Sequence, residues 1–124
     1  MNNYKSVYVV TAPSGTGKTT LNKRLILEIP DLEFSISYTT RKKRLGERDS
    51  LDYWFVSKEQ FHNHIENNEM LEWAEVFGNL YGTSIQEVNR ILSKNHKILI
   101  EIDVKGWMQL KSKLIKIFRV RQGK

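Results

Sequence analysis

Strand-like and helix-like segments alternate along this chain of 124 residues, a glycine-rich loop joins the first strand to the first helix, and two strands are strongly apolar. These three observations predict an α/β fold around a largely parallel core sheet flanked by helices. With 40% hydrophobic residues the chain has material for one compact domain with a modest core.

The run "SVYVVT" (Ser6 to Thr11) reads as a buried first strand. Lys18 to Glu28 reads as a helix, apolar at Leu21, Leu25 and Ile26, which Pro30 closes. "EFSISYT" (Glu33 to Thr39) alternates like a strand, and "YWFV" (Tyr53 to Val56) is a short one. Ser57 and Gln60 match a capping box that starts a helix reaching about Asn67. "LEWAEVF" (Leu71 to Phe77) follows as a strand, and Ser84 with Glu87 forms a second capping box for a helix to about Ser93. "KILIEID" (Lys97 to Asp103) is an apolar strand, succeeded by a helix over Val104 to Leu114 and a strand from Ile115.

The chain has no cysteine, so it has neither disulfides nor thiolate metal sites, and its first ten residues lack the long apolar stretch of a signal peptide or membrane helix. A soluble, cytoplasmic protein is expected, with no membrane partner. The formal charge of +6 would by itself suggest a polyanionic partner. Residues 105–124, however, hold seven of the 20 basic residues and no acid, which leaves 13 basic against 14 acidic residues in the remainder. The excess belongs to the tail, so no nucleic-acid partner is expected.

The stretch "APSGTGKTT" (Ala12, Pro13, Ser14, Gly15, Thr16, Gly17, Lys18, Thr19, Thr20) has the parts of a phosphate-binding P-loop. Glycines let the backbone wrap a polyphosphate, Lys18 reaches its outer phosphates, Thr19 offers a hydroxyl to Mg²⁺, and the following helix adds its N-terminal dipole. Ala12 stands where the pattern has glycine. Such a loop serves GTPases, ATPase motors and small-molecule kinases alike.

Discrimination comes from "SISYTTRKKRLGERDSLDYWFVS", "EWAEVFGNLYGT" and "LIEIDVKG". Taken with the P-loop, these closely resemble the guanylate kinase family, in unbroken order from about Val7 to Gly106. The resemblance implies a P-loop nucleoside monophosphate kinase fold: a parallel core over 1–33 and 84–124, with a mixed-sheet GMP-binding subdomain inserted at 34–83. It implies ATP and GMP as substrates, Mg²⁺ with ATP, Lys18 and Arg41 as catalytic residues, and a GMP site of Ser37, Arg41, Arg44, Glu47, Tyr53, Glu72, Tyr81, Thr83 and Asp103.

The side chains suit those tasks. Arginines clamp a monophosphate through several hydrogen bonds at once, and the hydroxyls of Tyr53 and Tyr81 add neutral donors. Guanine presents two donors and an acceptor, so Glu72 can take the donors while Thr83 and Ser37 serve the acceptor. Asp103 can orient either the guanine or the water shell of the metal. Trp54, Trp73 and Trp107 read as packing, and His62, His64 and His96 as surface positions without a role.

The family usually has Pro where Lys43 stands and Gly where Ser50 stands. It also continues after Gly106 through a strand, an arginine-bearing lid and adenine-recognising helices, so a truncated product or domain fragment with impaired turnover is expected. The alternatives are a non-catalytic guanylate-kinase-like module that binds phosphopeptides, or an inactive gene fragment. Oligomeric state is not fixed by the sequence.

Overall fold

A computed structural model describes residues 6–11, 18–102 and 104–118, with backbone alone for 18–20 and 114–118. The elements are β1 (Val7–Thr11), α1 (Lys18–Glu28), β2 (Leu32–Phe34), β3 (Tyr38–Thr39), β4 (Trp54–Phe55), α2 (Lys58–Glu66), β5 (Met70–Val76), β6 (Asn79–Ser84), α3 (Ile85–Leu92), β7 (Lys97–Ile102) and α4 (Val104–Phe118). They fall into two compact units, Met1–Ser35 with Asn89–Lys124, and Ile36–Val88.

The first unit holds a parallel sheet of order β1-β7-β2. Central β7 buries Ile98, Leu99, Ile100 and Ile102, as a run apolar on both faces requires. Helix α4 lies against β1 and β7, seating Leu110 in the interior, while α1 lies against β2. Helix α1 has the expected bounds but not the expected face. Leu21 and Ile26 are exposed, and the buried side chain among those described is Asn22, whose Oδ1 has no hydrogen-bond partner among the described residues. No described helix is long and apolar enough to cross a membrane.

The second unit holds a mixed sheet of order β4-β3-β6-β5, with β3 parallel to β4 and the other pairs antiparallel. Ser57 caps α2 through the reciprocal bonds of a complete capping box with Gln60. Helix α2 places Phe61 with Met70 and Leu80, and Tyr38, Val56, Ile65 and Trp73 pack around them. Strands β5 and β6 form a hairpin over the turn Phe77–Gly78, where both residues have positive φ (51° and 81°), the left-handed conformation of a type I′ turn.

Two expected strands are corrected here, and one strand carried no expectation. Residues 33–39 form two strands, one in each sheet, because a period of two reports extended backbone but not the partner. Strand β6 was not anticipated, since "NLYGTS" has a single strong apolar residue and owes its extension to pairing with β3 and β5. Helix α4 also runs through to Phe118, where a strand was expected from Ile115. Its C-terminal apolar residues fit either period, and propagating an existing helix costs less than nucleating a new element.

Candidate functional site

Strand register sorts the second unit's side chains into two faces, because directly opposed residues point the same way and alternate along each strand. Tyr38, Gly82, Trp73 and Trp54 share the face that packs under α2. Thr39, Phe55, Tyr81, Ala74, Thr83 and Glu72 share the other. The hairpin register running back from the turn sets Glu72 opposite Thr83. Beyond it a register shift between Met70 and Glu72 inserts an extra residue into β5, so that Met70 rather than Leu71 stands opposite Ser84.

Arg41 follows β3 on this second face and is 9% exposed. Its guanidinium forms a two-pronged ion pair with Glu47 (Nη1 to Oε1 3.0 Å, Nη2 to Oε2 2.8 Å) and also donates to the Lys42 carbonyl at 3.0 Å. The group lies 5.1 Å from the ring centre of Tyr53 and 5.9 Å from that of Phe55. Tyr53 in turn meets Phe55 and Tyr81 edge-on, at 5.6 and 6.0 Å.

The electrostatics follow from these contacts. Glu47, then the hydroxyls of Tyr53 and Tyr81, push the Arg41 pKa above its already high ordinary value against the effect of burial. Glu47 is pushed down to about 2, first by Arg41 and then by the Arg44 backbone N–H, which donates to it at 2.7 Å. A tyrosine oxygen that accepts from a guanidinium keeps its own proton to donate outward. The cluster is therefore a buried arginine paired with a carboxylate and flanked by two tyrosine hydroxyls.

Glu72 and Thr83 form the second feature, at 6% and 1% exposure. The Thr83 hydroxyl is buried without a hydrogen-bond partner among the described residues. Such a group costs about 1–3 kcal/mol unless something satisfies it.

The structure thus brings Arg41, Glu47, Tyr53 and Tyr81 into one cluster and Glu72 and Thr83 into a pair on the same sheet face. Arg44 joins through its backbone, its side chain being exposed. Ser37 contributes a carbonyl to the Trp54 N–H at 2.8 Å, at the junction of β3 and β4. Asp103 and residues 12–17 of the phosphate loop lie outside the described residues, as do the side chains of Lys18, Thr19 and Thr20, whose backbone opens α1.

Sequence reasoning missed two supporting residues. Thr39, fully buried, donates to the Leu80 carbonyl and accepts the Arg41 N–H; the paired hydroxyls directly before Arg41 were its signal. Glu87, 3% exposed, accepts from the Ile36 N–H at 2.9 Å and the Trp54 indole at 3.3 Å. Its backbone N–H meets Ser84 Oγ as the capping signal predicts, but its carboxylate joins the first residue of the unit to β4. Of the histidines, His62 is exposed, whereas half-buried His64 and His96 pair with Glu69 and Glu33.

The family model for guanylate kinase matches residues 4–120. A guanylate kinase of Prochlorococcus marinus subsp. pastoris is 44% identical over 113 residues, covering 91% of this chain and 61% of the relative. One of Helicobacter hepaticus is 49% identical over 106 residues, covering 86% and 53%. The crystal structure of guanylate kinase from Anaplasma phagocytophilum superimposes with a TM-score of 0.64 at 34% identity, over 91% of this chain and 54% of that one. The chain spans about half the length of the curated relatives it matches.

Proposed function

The chain belongs to the guanylate kinase family, and on that premise we propose that it takes part in transfer of the γ-phosphoryl group of ATP to GMP, giving ADP and GDP. The observation that carries this reading is the buried Thr83 hydroxyl, without a partner among the described residues, set across the strands from the buried Glu72 carboxylate. Guanine has groups complementary to both side chains. Its ring N–H and amino group donate to Glu72, and its carbonyl oxygen accepts from Thr83, with Ser37 beside β3 as a further donor. Adenine would set its amino donor where an acceptor is needed and leave polar groups unpaired.

In the same reading the α-phosphate of GMP rests against Arg41, Tyr53 and Tyr81, with Arg44 reaching in from the loop. Arg41 is already held by Glu47, so little rotamer freedom is lost when the anion arrives. An oxygen of this phosphate is ionised at neutral pH, so it attacks the γ-phosphorus without a general base as the bond to the β-phosphate oxygen breaks and ADP departs with that electron pair. Positioning and charge neutralisation then provide the rate.

The triphosphate half is assigned to Ala12 through Thr20. The backbone of Ala12, Pro13, Ser14, Gly15, Thr16 and Gly17 would wrap the phosphates, Lys18 would neutralise the transferring group, and Thr20 would lie beside them. The Thr19 hydroxyl would hold magnesium bound to ATP, which would neutralise phosphate charge there. Asp103, at the end of β7, is assigned to guanine or to the waters of that metal.

The test is ADP formation by the purified protein with ATP and Mg²⁺, dependent on GMP and accompanied by GDP in equal amount. ADP release that ignores GMP, or that proceeds equally with AMP, overturns the assignment.

A further inference from the structure

The contacts beneath Arg41 extend the GMP reading, on which the following rests. Thr39 sits between Phe55 on β4 and Tyr81 on β6 in the register of the sheet, and none of its surface is exposed. Its one hydroxyl does two things. It donates to the Leu80 carbonyl at 2.9 Å and accepts the Arg41 N–H at 3.1 Å. The Leu80 carbonyl belongs to the same rigid peptide plane as the Tyr81 nitrogen, so fixing that oxygen fixes where the Tyr81 side chain departs.

Neighbouring Thr40 closes the arrangement from the other side. Its N–H donates to the Leu80 carbonyl at 3.0 Å, and its own Oγ1 accepts the Leu80 N–H at 2.9 Å. The Leu80 backbone is thereby held at both its donor and its acceptor. The chain itself joins Thr40 to Arg41, and the Thr39 hydroxyl adds a hydrogen bond that ties the Arg41 N–H to the same Leu80 carbonyl.

We propose that Thr39 is a positioning residue of the monophosphate site, setting Arg41, which follows β3, and Tyr81, on β6, at a fixed separation through a single hydroxyl. Neither anchor reaches the anion through Thr39 itself. Its methyl group serves the packing and its hydroxyl serves the geometry, so the two substitutions that remove one and keep the other should part company.

The measurement is GMP affinity by calorimetry, with unfolding by urea in parallel, for wild type, Thr39→Val, Thr39→Ser and the distant Ser57→Ala. Ser57→Ala weakens the same unit by removing a helix cap, and controls for lost stability alone. Thr39→Val is expected to bind GMP about tenfold more weakly, because sub-ångström misplacement of a clamp is costly. Thr39→Ser and Ser57→Ala should stay within about twofold of wild type. Equal GMP affinity in Thr39→Val and wild type overturns the proposal, as does an equal loss in Thr39→Ser.

If Thr39→Val does not fold, Thr39→Ala takes its place, and Ala and Ser variants of equal affinity overturn the proposal. A wild-type chain without GMP affinity refutes the GMP reading instead. Solvent exchange of the Arg41 Nε proton, measured by NMR without nucleotide, then still decides: faster exchange in Thr39→Val than in Ser57→Ala supports positioning, and equal rates oppose it.

Discussion

Substituting Gly82 by alanine probes the link between packing and base reading. Gly82 lies on the α2 face of β6, opposite Tyr38 and Trp73. A Cβ there would stand 2.5 Å from Met70 Cε, 2.7 Å from the Glu72 carbonyl oxygen and 3.0 Å from Trp73 Cβ. The methionine end can swing away, but a strand carbonyl cannot. Restoring ordinary contact requires the Glu72 backbone to retreat by about 0.7 Å, from 2.7 Å to about 3.4 Å. Overpacking of this kind costs about 1–3 kcal/mol, reduced by the roughly 0.5–1 kcal/mol that alanine gains over glycine within a strand. Net destabilisation of about 0.5–2 kcal/mol follows. The same retreat carries the Glu72 carboxylate from Thr83, and at roughly 10²-fold per ångström of misplacement GMP affinity should fall about tenfold or more. Urea unfolding and GMP calorimetry on Gly82→Ala read both quantities. An unchanged midpoint would refute the packing argument, and a lowered midpoint with intact GMP affinity would refute the role given to Glu72.

Acid should expose the Arg41–Glu47 pair. Because folding lowers the Glu47 pKa from 4.5 to about 2, its contribution to stability is complete above about pH 5 and disappears as pH falls through about 2. The gap in urea midpoint between wild type and Glu47→Gln should therefore be constant above that window and close within it; a gap that widens with acid contradicts the pairing. Glu33 remains in both proteins and supplies acid sensitivity of its own, since burial pushes its pKa up but His96, Lys94 and Arg90 pull it down further. Ser50 has a φ of 66°, a conformation that costs a side-chain-bearing residue about 1–2 kcal/mol. Ser50→Gly should stabilise the chain by about 0.5–1 kcal/mol after the extra freedom of the unfolded glycine is deducted, and a midpoint no higher than that of Ser50→Ala would refute this.

Local signals were legible where local physics decides. The Ser57 capping box fixed the start of α2, and the apolar run at Lys97–Ile102 marked the central strand. Partners were not legible: the alternation over residues 33–39 conceals a change of sheet, and β6 is extended because two neighbours hold it so. The candidate site divides similarly. The family resemblance named Arg41, Glu47, Tyr53, Tyr81, Glu72 and Thr83, but the closing of Glu47 onto Arg41 depends on the turn between them, and the pairing of Glu72 with Thr83 depends on a hairpin whose second strand has little signal of its own. Arg44 illustrates the limit, since an arginine in a basic run can serve through its backbone N–H while its side chain remains in solvent.

The central claim is that Glu72 and Thr83 read guanine while the Arg41 cluster holds phosphate, and calorimetric titration of wild type and Glu72→Gln with GMP and AMP tests it most directly. Wild type should prefer GMP. Glu72→Gln, with a donor turned toward a donor, should lose about 1–3 kcal/mol of GMP affinity while its weak AMP affinity, carried by the phosphate cluster, stays unchanged. Equal losses for the two nucleotides, or a GMP preference that survives in Glu72→Gln, would contradict the account.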